Sequence, residues 1–367
     1  MTKAKTNLSE PDVGQPIGAV NSPGAICPIP IFDHKHIVLG HGSGGKLTAE
    51  LIEKVFLPAF SNPYLERRDD QAVVSINGSR IAFTTDSFVV TPIFFPGGDI
   101  GRLAINGTVN DLAMSGARPL FIAAAFILEE GLPTEELQRV VDSMRAAAHE
   151  AGVRLVTGDT KVVDRGKGDK MFITTTGMGI VERTLAMSAD LARPGDAVIL
   201  SGSIGDHGMA IMSQRENLEF ESEIESDTAP LHDLVNVMLE TSIDFRCMRD
   251  PTRGGLATTL NEIASRSRVG MLLDEQTIPV RENVKAACEL LGLDPLYVAN
   301  EGKLVAVVSR DVADLVLQAM KSHPLGKEAR IIGHVVDQHL GMVLMKTEIG
   351  GTRVVDVLFG EQLPRIC

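Results

Sequence analysis

Residues 121–160, FIAAAFILEEGLPTEELQRVVDSMRAAAHEAGVRLVTGDT, carry two hydrophobic periods in succession. The run FIAAAFIL is apolar on both faces, which predicts a buried strand over 120–128. A helix follows. Pro133 suits its first turn, Glu135 and Glu136 complement its N-terminal dipole, Leu137, Val140, Val141 and Met144 form one stripe, and Gly152 suits its stop. A strand over 154–156 resumes after it. Strand, helix and strand at this spacing predict a layered α/β unit.

Working toward the N-terminus, residues 100–115 read as a helix, and 72–76 and 80–90 as strands, the second alternating Ile81, Phe83 and Thr85. Leu47, Leu51, Ile52, Val55 and Phe56 fall on one helix face, and Pro58 is expected to end that helix. Residues 1–35 are rich in Pro, Gly and small polar residues and read as a partly disordered extension. Toward the C-terminus, a strand over 170–181 closes the first half. A turn signal, Ala192-Arg193-Pro194-Gly195-Asp196, then leads into a strand at 197–201. Beyond it, helices near 255–265 and 284–291 mix with strands at 303–308, 329–335 and 342–345. Both halves are therefore mixed α/β or α+β, and the expected domains are 36–190 and 191–355, followed by a tail, 356–367.

At 367 residues the chain is too long for one ordinary core, which agrees with two domains. A net charge of -13 argues against sequence-independent nucleic-acid binding, so an acidic ligand must be held locally by metal or backbone amides. The four cysteines, Cys27, Cys247, Cys288 and Cys367, show no metal-ligand spacing and no disulfide framework. No apolar run is long enough for a membrane span, and the polar N-terminus does not read as a signal peptide, so the expected location is the cytoplasm.

His41-Gly42-Ser43-Gly44-Gly45-Lys46 precedes a helix, where glycines let backbone amides approach phosphate, although the spacing is not that of a Walker A loop. A set of carboxylates falls at predicted element ends: Asp69-Asp70, Asp86 in TTDS, Asp111 in NGTVND, Asp159 in TGDTK, and Asp250 in RDPTRGG. Hard divalent cations need several oxygen ligands, and phosphoryl transfer needs such cations.

Together with SGSIGDHG, ANEGKL and a terminal PRIC, these segments resemble the HypE family of nickel-iron hydrogenase maturation factors, from about His41 to Cys367. That family lies in the superfamily of aminoimidazole ribonucleotide synthetase and selenophosphate synthetase. The resemblance implies a two-domain aminoimidazole ribonucleotide synthetase-like fold, with N-terminal strands pairing across a homodimer and a flexible C-terminal tail. It implies ATP and Mg2+ as cofactors, with Asp70, Asp86, Asp111 and Asp250 holding the metal against the phosphates. Gly44, Gly45, Lys46, Asp159 and Thr160 would line the nucleotide site, and Lys161 would neutralise phosphate charge. The cysteine or selenocysteine of selenophosphate synthetases is missing from the glycine-rich loop, where Ser43 and Gly44 stand.

The resemblance further implies that Cys367 receives a carbamoyl group from the carbamoyltransferase HypF, that ATP drives its dehydration to S-cyanate, and that the HypC-HypD complex takes the cyanide. His207 and Glu301 both stand as candidates for the proton-abstracting base. Residues 361–367, fully extended, span up to about 24 Å, enough for a swinging arm. Two other readings remain at this point: a carrier that presents Cys367 and uses nucleotide only as a switch, and a small-molecule kinase or synthetase of the same superfamily.

Overall fold

The computed structural model describes residues 35–218, 223–358, 360, 363 and 365–367. Met1–Ile37 and Val38–Cys367 form separate units. Of the first, only 35–37 are described, and they carry neither helix nor strand. The expected extension, with Cys27 and His34, otherwise lies outside the described residues.

The second unit begins with α1 (Lys46–Leu51), a wider π turn over Ile52–Phe56, and α2 (Leu57–Phe60). Pro58 does not end this helical stretch. It follows directly on the π turn, near the start of α2, and the chain stays helical to Phe60.

β1 (Ala72–Ile76) and β2 (Ser79–Phe88) follow, then the short ribbon β3 (Phe94–Phe95) and β4 (Gly98–Asp99), α3 (Ile100–Met114), β5 (Arg118–Glu129), α4 (Thr134–Glu150), β6 (Arg154–Val163) and β7 (Met171–Ile180). Five of these strands form a sheet in the order β1-β2-β7-β5-β6, antiparallel except for β5 and β6, which α4 connects in parallel. β7 alternates strictly: Met171, Ile173 and Thr175 are buried, while their neighbours are half-exposed. The buried face packs on α3, whose residues are almost all buried, and Asp99 caps that helix by accepting from the amides of Gly101 and Arg102. A Cβ on Gly101 would lie 2.5 Å from the Val140 carbonyl, so glycine is what lets α3 and α4 pack closely.

β6 is ten residues long rather than the three expected from sequence. Thr157-Gly158-Asp159 falls beyond the end of the strand expected over 154–156. Yet a Cβ at Gly158 would lie 2.3 Å from the Ala124 carbonyl, so the glycine marks a close backbone approach to β5 inside a continuous strand.

The second sheet comprises β8 (Ala197–Leu200), β9 (Phe245–Arg249), β10 (Gly270–Asp274), β11 (Val305–Val308), β12 (Arg330–Val336), β13 (Val343–Lys346) and β14 (Thr352–Val355), in the order β14-β13-β10-β12-β8-β11-β9. Its central strands are buried on both faces. Val198 and Leu200 pack with α7 (Gly255–Ser267), while Ala197 and Ile199 pack with α6 (His232–Thr241) and α9 (Arg310–Ser322). α5 (Asp206–Arg215) and α8 (Glu282–Leu291) instead join the core beneath β2 and β5, as do Leu363 and Ile366 from the tail. The tail is thus packed at the seam between the two sheets.

Candidate active site

Four of the expected carboxylates share one electrostatic neighbourhood. Asp86 on β2 and Asp111 on α3 face the same side of the first sheet, where Thr84 Oγ1 donates to Asp111 Oδ2 at 2.7 Å. Asp250 follows β9, and Asp70 precedes β1. Burial pushes the Asp250 carboxyl up to about 8, with the charge of Asp70 adding to the rise. Asp111 lies well above the usual carboxylate range, from burial and from Asp250, Asp86 and Asp70 in that order. Asp86 is raised by burial against the pull of Arg253. Burial raises Asp70 to about 6, although Arg249 opposes the rise with an ion pair at 2.5 Å.

Glu301 is 3% exposed, its Oε1 has no hydrogen-bond partner among the described residues, and burial followed by Asp250 and Asp86 holds its pKa well up. Like charges in a low-dielectric site retain protons unless a cation joins them. The oxygen-only donors suit a hard divalent ion. Among the described residues, though, no group of three or more such side chains forms a ready cage. Magnesium typically takes one or two carboxylates with water and phosphate oxygens, so a preformed cage is not required.

The glycine loop lies against this cluster. A Cβ on Gly44 (φ +77°) would meet the Arg253 carbonyl at 2.9 Å, and one on Gly45 the Leu358 carbonyl at 2.5 Å. These glycines allow close contact with the Asp250 loop and the root of the tail. Their amides are already engaged, Gly44 with Thr48 Oγ1 and Gly45 with Ser43 Oγ. Lys46 Nζ is paired with Asp356 at 2.7 Å.

Asp159, Thr160 and Lys161 stand apart. The register sets Asp159 in one row with Ala125, Thr174 and Ser87, three strand spacings or roughly 14 Å from β2. Asp86 belongs to the adjacent row and points to the other face. Among the described residues Lys161 Nζ binds Asp159 alone, at 2.8 Å, and both are exposed.

Residues 365–367 are docked in this structure. The amides of Val89 and Thr91 donate to the carbonyls of Cys367 (3.0 Å) and Arg365 (3.2 Å), adding a short antiparallel bridge beyond β2. Arg215 donates to the Arg365 carbonyl at 2.8 Å, and the Arg365 guanidinium pairs with Asp169 at 2.5 Å. Ile366 and Leu363 are buried. Burying two such side chains yields about 3–6 kcal/mol, while ordering the four described residues costs about 4–8 kcal/mol. The few hydrogen bonds, at about 1 kcal/mol each, leave docking close to balance.

Cys367 lines a cavity of about 260 Å³ with Gly42, Ser43, Gly45, Ser87, Arg253 and Gly254. The negative charge at Cys367 is the largest influence raising the pKa of Arg253. The structure therefore joins Cys367 to the glycine loop, with Glu301 and the aspartates close by. His207 is fully buried, and both ring nitrogens are engaged, Nδ1 with Ser226 Oγ at 2.7 Å and Nε2 with the Ile366 carbonyl at 2.6 Å.

Several residues at the site were not assigned from sequence: Ser87, Arg215, Arg249, Arg253 and Asp169. Arg249 and Arg253 flank Asp250 in RDPTRGG, and a positive charge beside a candidate phosphate site was the available signal. Nothing in sequence marked Asp169 or Arg215 as partners of Arg365.

Residues 68–181 match the N-terminal domain, and residues 193–345 the C-terminal domain, of AIR synthase related proteins. The carbamoyl dehydratase HypE of Cupriavidus necator is 59% identical over 332 residues, covering 90% of this chain and 95% of that protein. A crystal structure of a HypE-HypF complex contains a chain similar to this one with a TM-score of 0.80 and 51% identity, over 84% of this chain and 99% of that one. A crystal structure of HypE in complex with ATP matches with a TM-score of 0.77 and 50% identity, over 90% of this chain and all of that one, 100%. Among the described residues, no helix is long and apolar enough to cross a membrane.

Proposed function

The chain belongs to the HypE family of carbamoyl dehydratases, and from that premise we propose that it dehydrates an S-carbamoyl group on its own Cys367 to S-cyanate, with hydrolysis of one ATP, to supply the cyanide ligand of a nickel-iron hydrogenase. The observation that carries this reading is the docked tail, which places Cys367 in the same cavity as the glycine loop and Arg253.

An amide oxygen leaves poorly, and phosphorylation makes it phosphate. The carbamoyl oxygen attacks the γ-phosphorus, ADP departs, and the nitrogen loses one proton as the C=N bond forms. Loss of the second N–H proton and of phosphate then breaks the C–O bond and leaves the nitrile on sulfur. Glu301 is the group to take the first proton once a cation among the aspartates lets it ionise, since its Oε1 has no hydrogen-bond partner among the described residues; without that cation, burial and anionic neighbours keep it protonated. His207 is a poorer base in this arrangement, since its two nitrogens hold Ser226 and the tail. Arg253 balances charge at the thiol end of the cavity, and the tail supplies orientation. Asp86, Asp111 and Asp250, with Asp70 if it leaves Arg249, are the groups to hold magnesium, which when bound supplies positive charge to the phosphates.

The working form is a homodimer. β6 is a ten-residue edge strand, almost wholly exposed, with Leu155, Val156 and Val162 uncovered. Long bare edges of this kind are normally covered. A second copy laid on this edge and sheet face would let Lys161 and Asp159 serve the neighbouring copy's site rather than their own. HypF is the carbamoyl donor, a role supported by the complex of a relative with it, and the HypC-HypD complex accepts the cyanide.

The test is direct. Carbamoylated protein incubated with magnesium and ATP should lose the mass of one water at Cys367, and Cys367→Ser should show no such product. ATP turnover with no mass change would favour a nucleotide-switched carrier instead.

A further inference from the structure

The last two peptide carbonyls before Cys367 are both captured by α5, which the dehydration chemistry above does not use. Arg215 takes the Arg365 carbonyl and, with it, the carbonyl of Thr91 in the segment beyond β2 that the tail pairs with. His207, two turns earlier on the same helix, meets the Ile366 carbonyl at 2.6 Å. A carbonyl can only accept, so Nε2 carries a proton. In the neutral ring Nδ1 then accepts from Ser226 Oγ, which itself accepts the Thr228 amide at 3.2 Å. Burial lowers the pKa of His207, which agrees with a neutral ring, and Phe95 packs edge-on against it at 5.6 Å between ring centroids. The chain Thr228–Ser226–His207 thus fixes one tautomer and aims one N–H at the peptide bond joining Ile366 to Cys367. A merely structural buried histidine needs partners, but none has to be the mobile tail.

We propose that His207 is a positioning residue that clamps the Ile366 carbonyl and thereby sets where the Cys367 thiol and its carbamoyl group sit in the cavity. Since docking is close to energetic balance, one short buried hydrogen bond shifts the fraction of docked tails. Recognition runs through the main chain, so the clamp acts whether the thiol is free, carbamoylated or cyanated. The inference rests on the proposed reaction only for its consequence in rate. The clamp itself can be read on the unmodified protein.

The experiment compares three variants of the full chain, with melting temperature recorded for each. His207→Phe keeps a ring against Phe95 and removes both hydrogen bonds. His207→Gln keeps a donor near the position of Nε2, and Ser226→Ala releases only the tautomer. The first readout is the rate of Cys367 alkylation by iodoacetamide, followed on the C-terminal peptide by mass spectrometry. His207→Phe should speed it about tenfold, Ser226→Ala by less, and His207→Gln should stay within about twofold of wild type. The second is single-turnover dehydration of carbamoylated protein, which His207→Phe should slow at least tenfold with the KM for ATP unchanged. Wild-type alkylation in a folded His207→Phe variant, or rescue by Phe and not by Gln, would overturn the clamp. Altered alkylation with no dehydration in any form, wild type included, would leave the clamp standing and refute the reaction.

Discussion

Two aspartates sit in nearly the same local sequence, Thr84-Thr85-Asp86-Ser87 and Thr157-Gly158-Asp159-Thr160, on strands of the same sheet. Each carboxylate accepts the amide of the next residue, Asp86 from Ser87 at 2.7 Å and Asp159 from Thr160 at 2.8 Å. The local geometry is shared and the environments are opposite. Asp86 faces α3 among other carboxylates and its pKa rises from burial; Asp159 faces outward, and its pKa falls through a hydrogen bond from Lys161. Strand register, one residue out of phase across four strands, decides which becomes a candidate cation ligand and which faces outward.

The sharpest way to break this comparison is to test whether the outward pair works in another copy. Lys161→Ala should lower single-turnover dehydration by about 10²–10³-fold, the usual cost of removing one group aimed at developing charge. Co-expression of that variant with Cys367→Ser should restore about a quarter of wild-type activity. In such mixed dimers one chain supplies the cysteine and the other the lysine. If Lys161 acts within its own chain, mixing restores nothing, and the roughly 14 Å separation across the sheet must close by some other motion.

A smaller effect is expected on stability, from the inward group. Asp250 and Asp70 have folded pKa values of about 8 and 6 against 3.8 unperturbed. Between those limits the folded state holds more protons than the unfolded one, so stability falls as pH rises from about 4 toward 8. The melting temperature of nucleotide-free, magnesium-free protein should therefore drop from pH 5 to pH 8, and millimolar magnesium should recover part of the loss at pH 8. Asp250→Asn should flatten the dependence and raise the pH 8 melting temperature by ~2–4 °C, the shift that about 1 kcal/mol brings in a domain of this size. A pH profile unchanged by the substitution would mean that the carboxylates are ionised and already satisfied.

The sequence made much of this legible because hydrophobic period and end signals agree. The strand and helix around Pro133 and Gly152 are where expected, and Asp86, Asp111, Asp250 and Glu301 share one electrostatic neighbourhood. What could not be read was decided by long-range approach. The expected strand stopped at 156, short of Gly158, whose reason for being glycine is the Ala124 carbonyl on another strand. Lys46 looked like a phosphate ligand, and its partner is Asp356, 310 residues away. β9, β10 and β14, four or five residues each, are too short to show a period, and the burial of β9 and β10 is set by their place in a seven-stranded sheet. The face on which Asp159 lies required the register itself.

The smallest expected effect sharpens the comparison most. Asp159→Asn removes a charge from an exposed ion pair, and such pairs contribute about 0–1 kcal/mol, so the melting temperature should move by less than about 2 °C. Activity should change only a few-fold, because Lys161 keeps its charge and loses only the group that orients it. Asp86→Asn, made in the matching position of the matching motif, should cost at least ten times more dehydration activity while leaving the melting temperature equal or higher, because it relieves repulsion in a buried cluster. The two substitutions are chemically identical and locally isosteric. Equal losses from both would show that Asp159 also meets the nucleotide directly, and that the two faces of the sheet contribute to one site more evenly than a single copy of the chain suggests.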